Sequence, residues 1–112
     1  MGKEADMKAI GRSLARSRDM ILLAALSGEI DRAREILEET RGNLQNLQLS
    51  AFHLNEINAR LLESELDISE NKKGDVIEIV HVLIKINDSE CFSAERKKAV
   101  LRRGLLSVIG KL

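Results

Sequence analysis

Two histidines, His53 and His81, one cysteine, Cys91, and a run of acids, Glu63, Glu65, Asp67 and Glu70, are the side chains of this 112-residue chain best equipped for chemistry. A metal site needs several His, Cys or carboxylate ligands at short, regular spacing. Neither histidine has a second His or Cys at such a spacing. His53 adjoins Phe52 on a heptad-patterned segment, and His81 shares a polar helical face with Glu78 and Lys85, so both read as surface or satisfied side chains. Cys91 would need a nearby imidazole to act as a nucleophile. Nothing local supplies one, and beside Phe92 it reads as a small buried residue. Acid–base work by the carboxylates would need a pocket that drives their pKa values apart, whereas neighbouring acids in a chain that is 32% charged are ordinarily solvated. "KKGDV" lacks the glycine spacing and the preceding strand of a phosphate loop. The expectation is a protein that is not an enzyme and holds neither metal nor cofactor.

The other chemistry on offer is cationic. Residues 95–104, "ERKKAVLRRG", are locally basic. Set around a helix at about 100° steps, Arg96 and Arg103 fall opposite Leu101 and Leu105, Arg102 on the flank, and Lys97 and Lys98 toward the apolar side. These cations are spread rather than gathered into a phosphate-tracking stripe, and no aromatic side chain accompanies them for base stacking. Long basic stems flanking a buried arc account for the pattern. A nucleic-acid-binding regulator using Arg96, Lys97, Arg102 and Arg103 is the alternative reading. A membrane-surface role is weaker, because no Trp or Phe lies on that segment.

The elements that must position these residues are helical. Hydrophobic residues make up 44% of the chain, which is enough apolar surface for a globular core, yet Phe52 and Phe92 are its only aromatics. Proline is absent, so no segment carries the residue most damaging to a helix interior. The length suits one helical domain over 1–112. A lone cysteine and an apolar run of only seven residues, "MILLAAL" at 20–26, predict a cytoplasmic protein without a signal peptide or membrane span. Charge is uneven along the chain: residues 29–70 carry four basic and ten acidic groups, whereas 94–112 carry six basic groups and only Glu95. Such asymmetry can steer a partner or balance charge between packed helices.

Met7, Ile10, Leu14, Ile21 and Ala25 recur at helical spacing and predict a first helix over 4–27, with Met20 and Leu23 burying its far end on a second side. Ser27-Gly28 reads as its stop. From Ile30 the apolar positions alternate in steps of three and four through Ala33, Leu37, Thr40, Leu44, Leu47, Ala51, Leu54, Asn58 and Leu61, a heptad pattern. Ile36, Leu49, Phe52, Ile57 and Leu62 widen it toward a bundle face. The unbroken phase predicts one helix over 29–66 running through Gly42, about 57 Å long; the alternative is a stop at Gly42-Asn43. A helix of that length would outreach a compact monomer and expose its stripe to another chain. "DISENKKGD", 67–75, reads as a loop. Asp75 and Glu78 then form a capping-box pattern before "VIEIVHVLIKIN", whose β-branched residues favour strand but whose Glu78, His81 and Lys85 gather on one helical face. The reading is a third helix over 76–87, buried over most of its circumference, with a strand as the alternative. Ser93 caps a fourth over 94–111, whose Leu101, Leu105, Val108, Ile109 and Leu112 share one arc.

Residues 20–47, "MILLAALSGEIDRAREILEETRGNLQNL", resemble the opening of small helical export chaperones of flagellar and type III secretion systems. In these an apolar helix end, a small-Gly turn and a charged second helix precede a long helical hairpin. "VIEIVHVLIKI" departs from that pattern, and no binding residue is carried over.

The reading is an all-α, four-helix-bundle-like protein with one long heptad-patterned helix, forming an intertwined or side-by-side homodimer. Its expected seam is Leu37, Leu44, Leu47, Leu54, Asn58 and Leu61, with Asn58 fixing register. The expected function is a protein–protein interaction module: an adaptor, regulator or chaperone.

Overall fold

Asp6, Ser50 and Ser93 each turn a side-chain oxygen onto backbone N–H groups two or three residues ahead, and each opens a helix. The computed structural model describes residues 6–73 and 76–112. Five helices span them: α1 (Met7–Leu26), α2 (Ile30–Leu44), α3 (Ala51–Asn71), α4 (Val76–Asp88) and α5 (Ala94–Lys111). Of the capping pair expected before α4, Asp75 lies outside the described residues.

The stop after α1 forms as the sequence predicts. Gly28 takes a φ of +82°, the Gly28 N–H donates to Ala25 O at 3.1 Å, and the Glu29 N–H donates to Ala24 O at 2.8 Å. This is a Schellman turn, and its left-handed residue is strained for anything but glycine.

The expected helix over 29–66 is in fact two. α2 does run through Gly42, but it ends at Leu44. The chain turns over 45–50 and restarts at the Ser50 cap. The turn lets α3 fold back, so that Ile57, Leu61 and Ile68 join Leu14, Ile21, Ala33, Ile36 and Leu37 in one core. Each aliphatic side chain so buried is worth about 1.5–3 kcal/mol, more than the few helical residues given up at the elbow. The described residues therefore form five helices rather than four.

Segment 67–71, expected as loop, is the last turn of α3. Ile68 is buried in that first core and Asp67 is held by two arginines, so tertiary contacts override a polar composition.

The arrangement is a stack of hairpins around α3. Arg18 reaches Glu63 and Asp67, Arg96 reaches Glu56 and Glu63, Arg103 reaches Asp67 and Glu70, and Lys111 reaches the Lys72 carbonyl. These registers make α3 and α5 parallel. Ala25 and Leu26 at the end of α1 share a cleft with Asn71 and Lys72 at the end of α3, so α1 runs parallel to α3 as well, with α2 and α4 returning in the opposite direction. α3 packs against every other helix, whereas the backbones of α1 and α5, and of α2 and α4, do not approach each other. One face of α3 supplies the first core. Its Ala59 and Leu66 enter a second, with Ile79, Val82, Leu83, Ile86, Phe92 and Val100. The result is a plate, 53 × 31 × 17 Å in extent, with a radius of gyration of 14.5 Å.

The two returning helices bury matching residues. Ala33, Ile36, Leu37 and Thr40 of α2 and Ile79, Val82, Leu83 and Ile86 of α4 follow the same i, i+3, i+4, i+7 spacing, at one constant displacement along the chain. Each hairpin thus offers the same kind of face to its neighbour, as in stacked helical repeats.

Candidate interaction surface

A ladder of ion pairs closes one side of the stack. Glu56, Glu63, Asp67 and Glu70 recur along α3 at helical spacing. Arg18 Nε donates to Asp67 Oδ2 at 3.1 Å, and Arg18 Nη1 to Glu63 Oε2 at 3.3 Å. From α5, Arg96 donates to Glu63 at 2.9 Å and to Glu56 at 2.8 Å, while Arg103 reaches Asp67 and Glu70, and Ser107 also donates to Glu70. Glu63 and Asp67 are buried, which corrects the expectation of a solvated acidic cluster. Two buried carboxylates are tolerated because each is bridged by arginines from two different helices. The electrostatics follow. Hydrogen bonding to Glu63 holds the Arg96 pKa above its ordinary value despite burial. Burial alone would raise the Glu56 carboxyl, but Arg60 and Arg96 outweigh it and hold it lower. Burial works against the Arg103 charge, and its bonds to Glu70 and Asp67 more than restore it.

The opposite side carries a second set. Glu65 of α3 faces Arg41 of α2 at 3.4 Å and Lys85 of α4 at 3.6 Å, and Glu78 of α4 pairs with Arg34 and with Lys72. His81 lines the cleft beside Glu65 and Glu78, which separates it from the Glu63–Asp67 ladder across α3. His53 sits at the start of α3, its Nδ1 3.0 Å from Ser50 Oγ and its ring edge-on to Phe52. Cys91 lies between α4 and α5 with its Sγ 2.7 Å from Ser89 Oγ. The structure therefore does not gather the histidines, the cysteine and the acids into one pocket. Among the described residues, no group of three His, Cys, Asp or Glu is placed to hold a metal ion. No described helix is long and apolar enough to cross a membrane.

Of the four cations proposed for nucleic acid, Arg96 and Arg103 are engaged by α3, and Lys97 Nζ donates to Asn87 O at 2.9 Å. Arg102 is exposed. The expected seam residues also divide. Leu37 and Leu61 lie in the chain's own core and Leu44 packs on its edge, while Leu47, Leu54 and Asn58 are exposed around the elbow.

What the stack leaves outside is apolar in four places. Met20, Leu23 and Leu26 project from the end of α1, contrary to the expected double-sided burial. Leu47, Phe52 and Leu54 surround the elbow, with Phe52 77% exposed. Ile77, Val80 and Ile84 form an outward stripe on α4, which corrects the expectation that this helix is buried nearly all round. On α5 the buried positions are Val100 and Gly104, flanked by half-buried Leu101 and Val108. Leu105, Ile109 and Leu112, expected in the same buried arc, are exposed along with Leu106. Sequence reading missed these faces because a periodic apolar residue looks the same whether its own chain or another one covers it.

No family model, no curated protein and no solved structure matches the chain.

Proposed function

We propose that the chain is a non-enzymatic, cytoplasmic helical module that binds protein through apolar helix surfaces, as an adaptor, regulator or chaperone does. The observation that carries this reading is the set of exposed stripes on α1, α4, α5 and the elbow, outside two cores that are already closed. Contiguous exposed apolar surface on a folded chain marks a contact site, and stacked hairpins are an architecture that presents helix faces to partners. Self-association is part of the proposal. Leu47, Leu54 and Asn58, the seam residues still exposed, lie around the elbow and suit a homodimer contact.

Photo-crosslinking tests it. Probes replacing Phe52, Ile84 and Leu105 are expected to trap discrete protein adducts in cells, and a probe at Glu35, on the polar outer face of α2, is expected to trap none. Equal labelling from all four positions, or no adduct from the apolar three, would overturn the reading.

A further inference from the structure

The face of α5 that points away from the stack is built like the face of α3 that another helix covers. Ile57 and Leu61 turn α3 toward the preceding hairpin, and Val100 and Gly104 do so for α5. Aligning the two helices on those residues sets Ala59, Leu62 and Leu66 of α3 against Arg102, Leu105 and Ile109 of α5. On α3 these positions lie in the second core, against α4 and α5. On α5 they face outward, with Leu105 55% and Ile109 66% exposed. Lys98, Arg102, Leu105, Ile109 and Leu112 follow one another at steps of three and four, which makes a single stripe along the helix.

We propose that this α5 stripe docks an acidic amphipathic helix from a different protein, seated where the next helix of the stack would lie. The proposal rests on the protein-binding reading above and names the face and the partner's chemistry. A helix is the expected occupant because the equivalent face of α3 is covered by helices. Acidity follows from charge complementarity. Lys98 and Arg102 are exposed on the stripe and Lys111 lies near its end, with Glu95 the one acid of the helix. Flanking cations over an apolar seam select glutamates and aspartates on the partner and repel cationic helices.

The same charges argue against a second copy. α1 at the other end of the stack presents exposed Lys8, Arg12 and Arg16, so head-to-tail stacking would oppose like charges. A parallel α5-to-α5 contact would bring Lys98 and Arg102 of both copies together, and an antiparallel one would set them against the partner's apolar Ile109 and Leu112, with no carboxylate to answer either charge. The acidic outer face of α2, with Asp31, Glu35, Glu38 and Glu39, carries no exposed apolar stripe, and among the described residues no other exposed apolar face has a surplus of acids.

The test uses the full chain and two synthetic helical peptides with the same leucine seam, one flanked by glutamates and one by lysines. Binding is followed by anisotropy and mapped by amide chemical shifts. The glutamate peptide is expected to bind roughly tenfold or more tightly than its lysine twin, with affinity falling as salt rises and shifts centred on Arg102–Ile109. Arg102→Glu, an exposed change that should leave helicity intact, is expected to reverse the preference. Equal binding of the two peptides, no binding of either, or shifts centred on Phe52 or Ile84 would overturn the α5 assignment. So would self-association in sedimentation that Ile109→Glu abolishes. Crosslinks retained at Phe52 or Ile84 under any of these outcomes would leave the broader protein-binding reading standing.

Discussion

Gly104 of α5 lies against Leu83 of α4 so closely that a Cβ on the glycine would overlap Leu83 Cδ2 and stand 3.0 Å from its Cγ. Leu83 is itself buried in the second core, so its side chain has little room to withdraw. Gly104→Ala is expected to destabilise the chain by about 1–3 kcal/mol through overpacking. A methyl group on Gly42, also helical, would meet nothing within 4 Å. Gly42→Ala is therefore expected to stabilise by about 0.5–1 kcal/mol. Urea midpoints of the two variants should move in opposite directions; a Gly104→Ala midpoint at or above the parent's would refute the close approach, and a lowered Gly42→Ala midpoint would refute the open space at Gly42.

Asp67 tests how the outer helices are tied to α3. It is 4% exposed and receives Arg18 from α1 and Arg103 from α5. Removing either arginine leaves the other to compensate the carboxylate, so Arg18→Ala and Arg103→Ala are each expected to cost about 1 kcal/mol, given that both guanidinium groups are partly solvated. Removing both strands a buried charge, and the double variant should lose about 1 kcal/mol or more beyond the sum of the singles. Additive losses in a double-mutant cycle would mean that the two arginines act independently.

Helix type and most boundaries were legible because local signals agreed with the fold. Gly28 ends α1 and Ser93 begins α5 as their chemistry requires, and Glu78, His81 and Lys85 share a face that marks α4 as helix. The elbow was not legible. Leu44, Leu47 and Leu54 keep heptad phase across 45–50, and no glycine or proline interrupts "QNLQLS"; Ser50 is the one local signal, as a cap. Residues 67–71 misled for the opposite reason, since a polar stretch stays helical when Arg18 and Arg103 satisfy Asp67. The outward faces of α4 and α5 were invisible because periodicity reports that a side is apolar and not what covers it. Arg96 and Arg103 could be placed opposite the leucines, but their carboxylate partners lie 33 to 40 residues away in sequence.

Acid should loosen the ladder from the Glu56 end. Its carboxyl is held below the ordinary value of 4.5 in the folded chain. The unfolded chain therefore binds the proton more readily, and the stabilisation from this group is present above the unfolded value and lost as pH falls through the folded one. Glu56→Gln is expected to flatten the acid side of the stability profile while leaving its slope near neutral pH unchanged. Denaturant midpoints measured from neutral pH to below 4.5 decide it, and an unchanged acid slope in the variant would show that Glu56 contributes nothing there.

The elbow separates surface from core among residues that share one heptad phase. Leu37 and Leu61 are buried, whereas Leu47 and Leu54 are 38% and 47% exposed. Leu61→Ala should cost about 2–5 kcal/mol, because it opens a cavity among Leu14, Ile21 and Leu37. Leu47→Glu with Leu54→Glu adds charge where water already reaches, so helicity and thermal midpoint should stay close to those of the parent chain. If the elbow is the homodimer contact, the same double change will reduce the sedimentation mass at high concentration to that of a monomer, since two like charges per copy would face each other across the contact. A folded variant with the parent's mass would remove the elbow from any self-contact, and an unfolded one would mean that Leu47 and Leu54 support the first core after all.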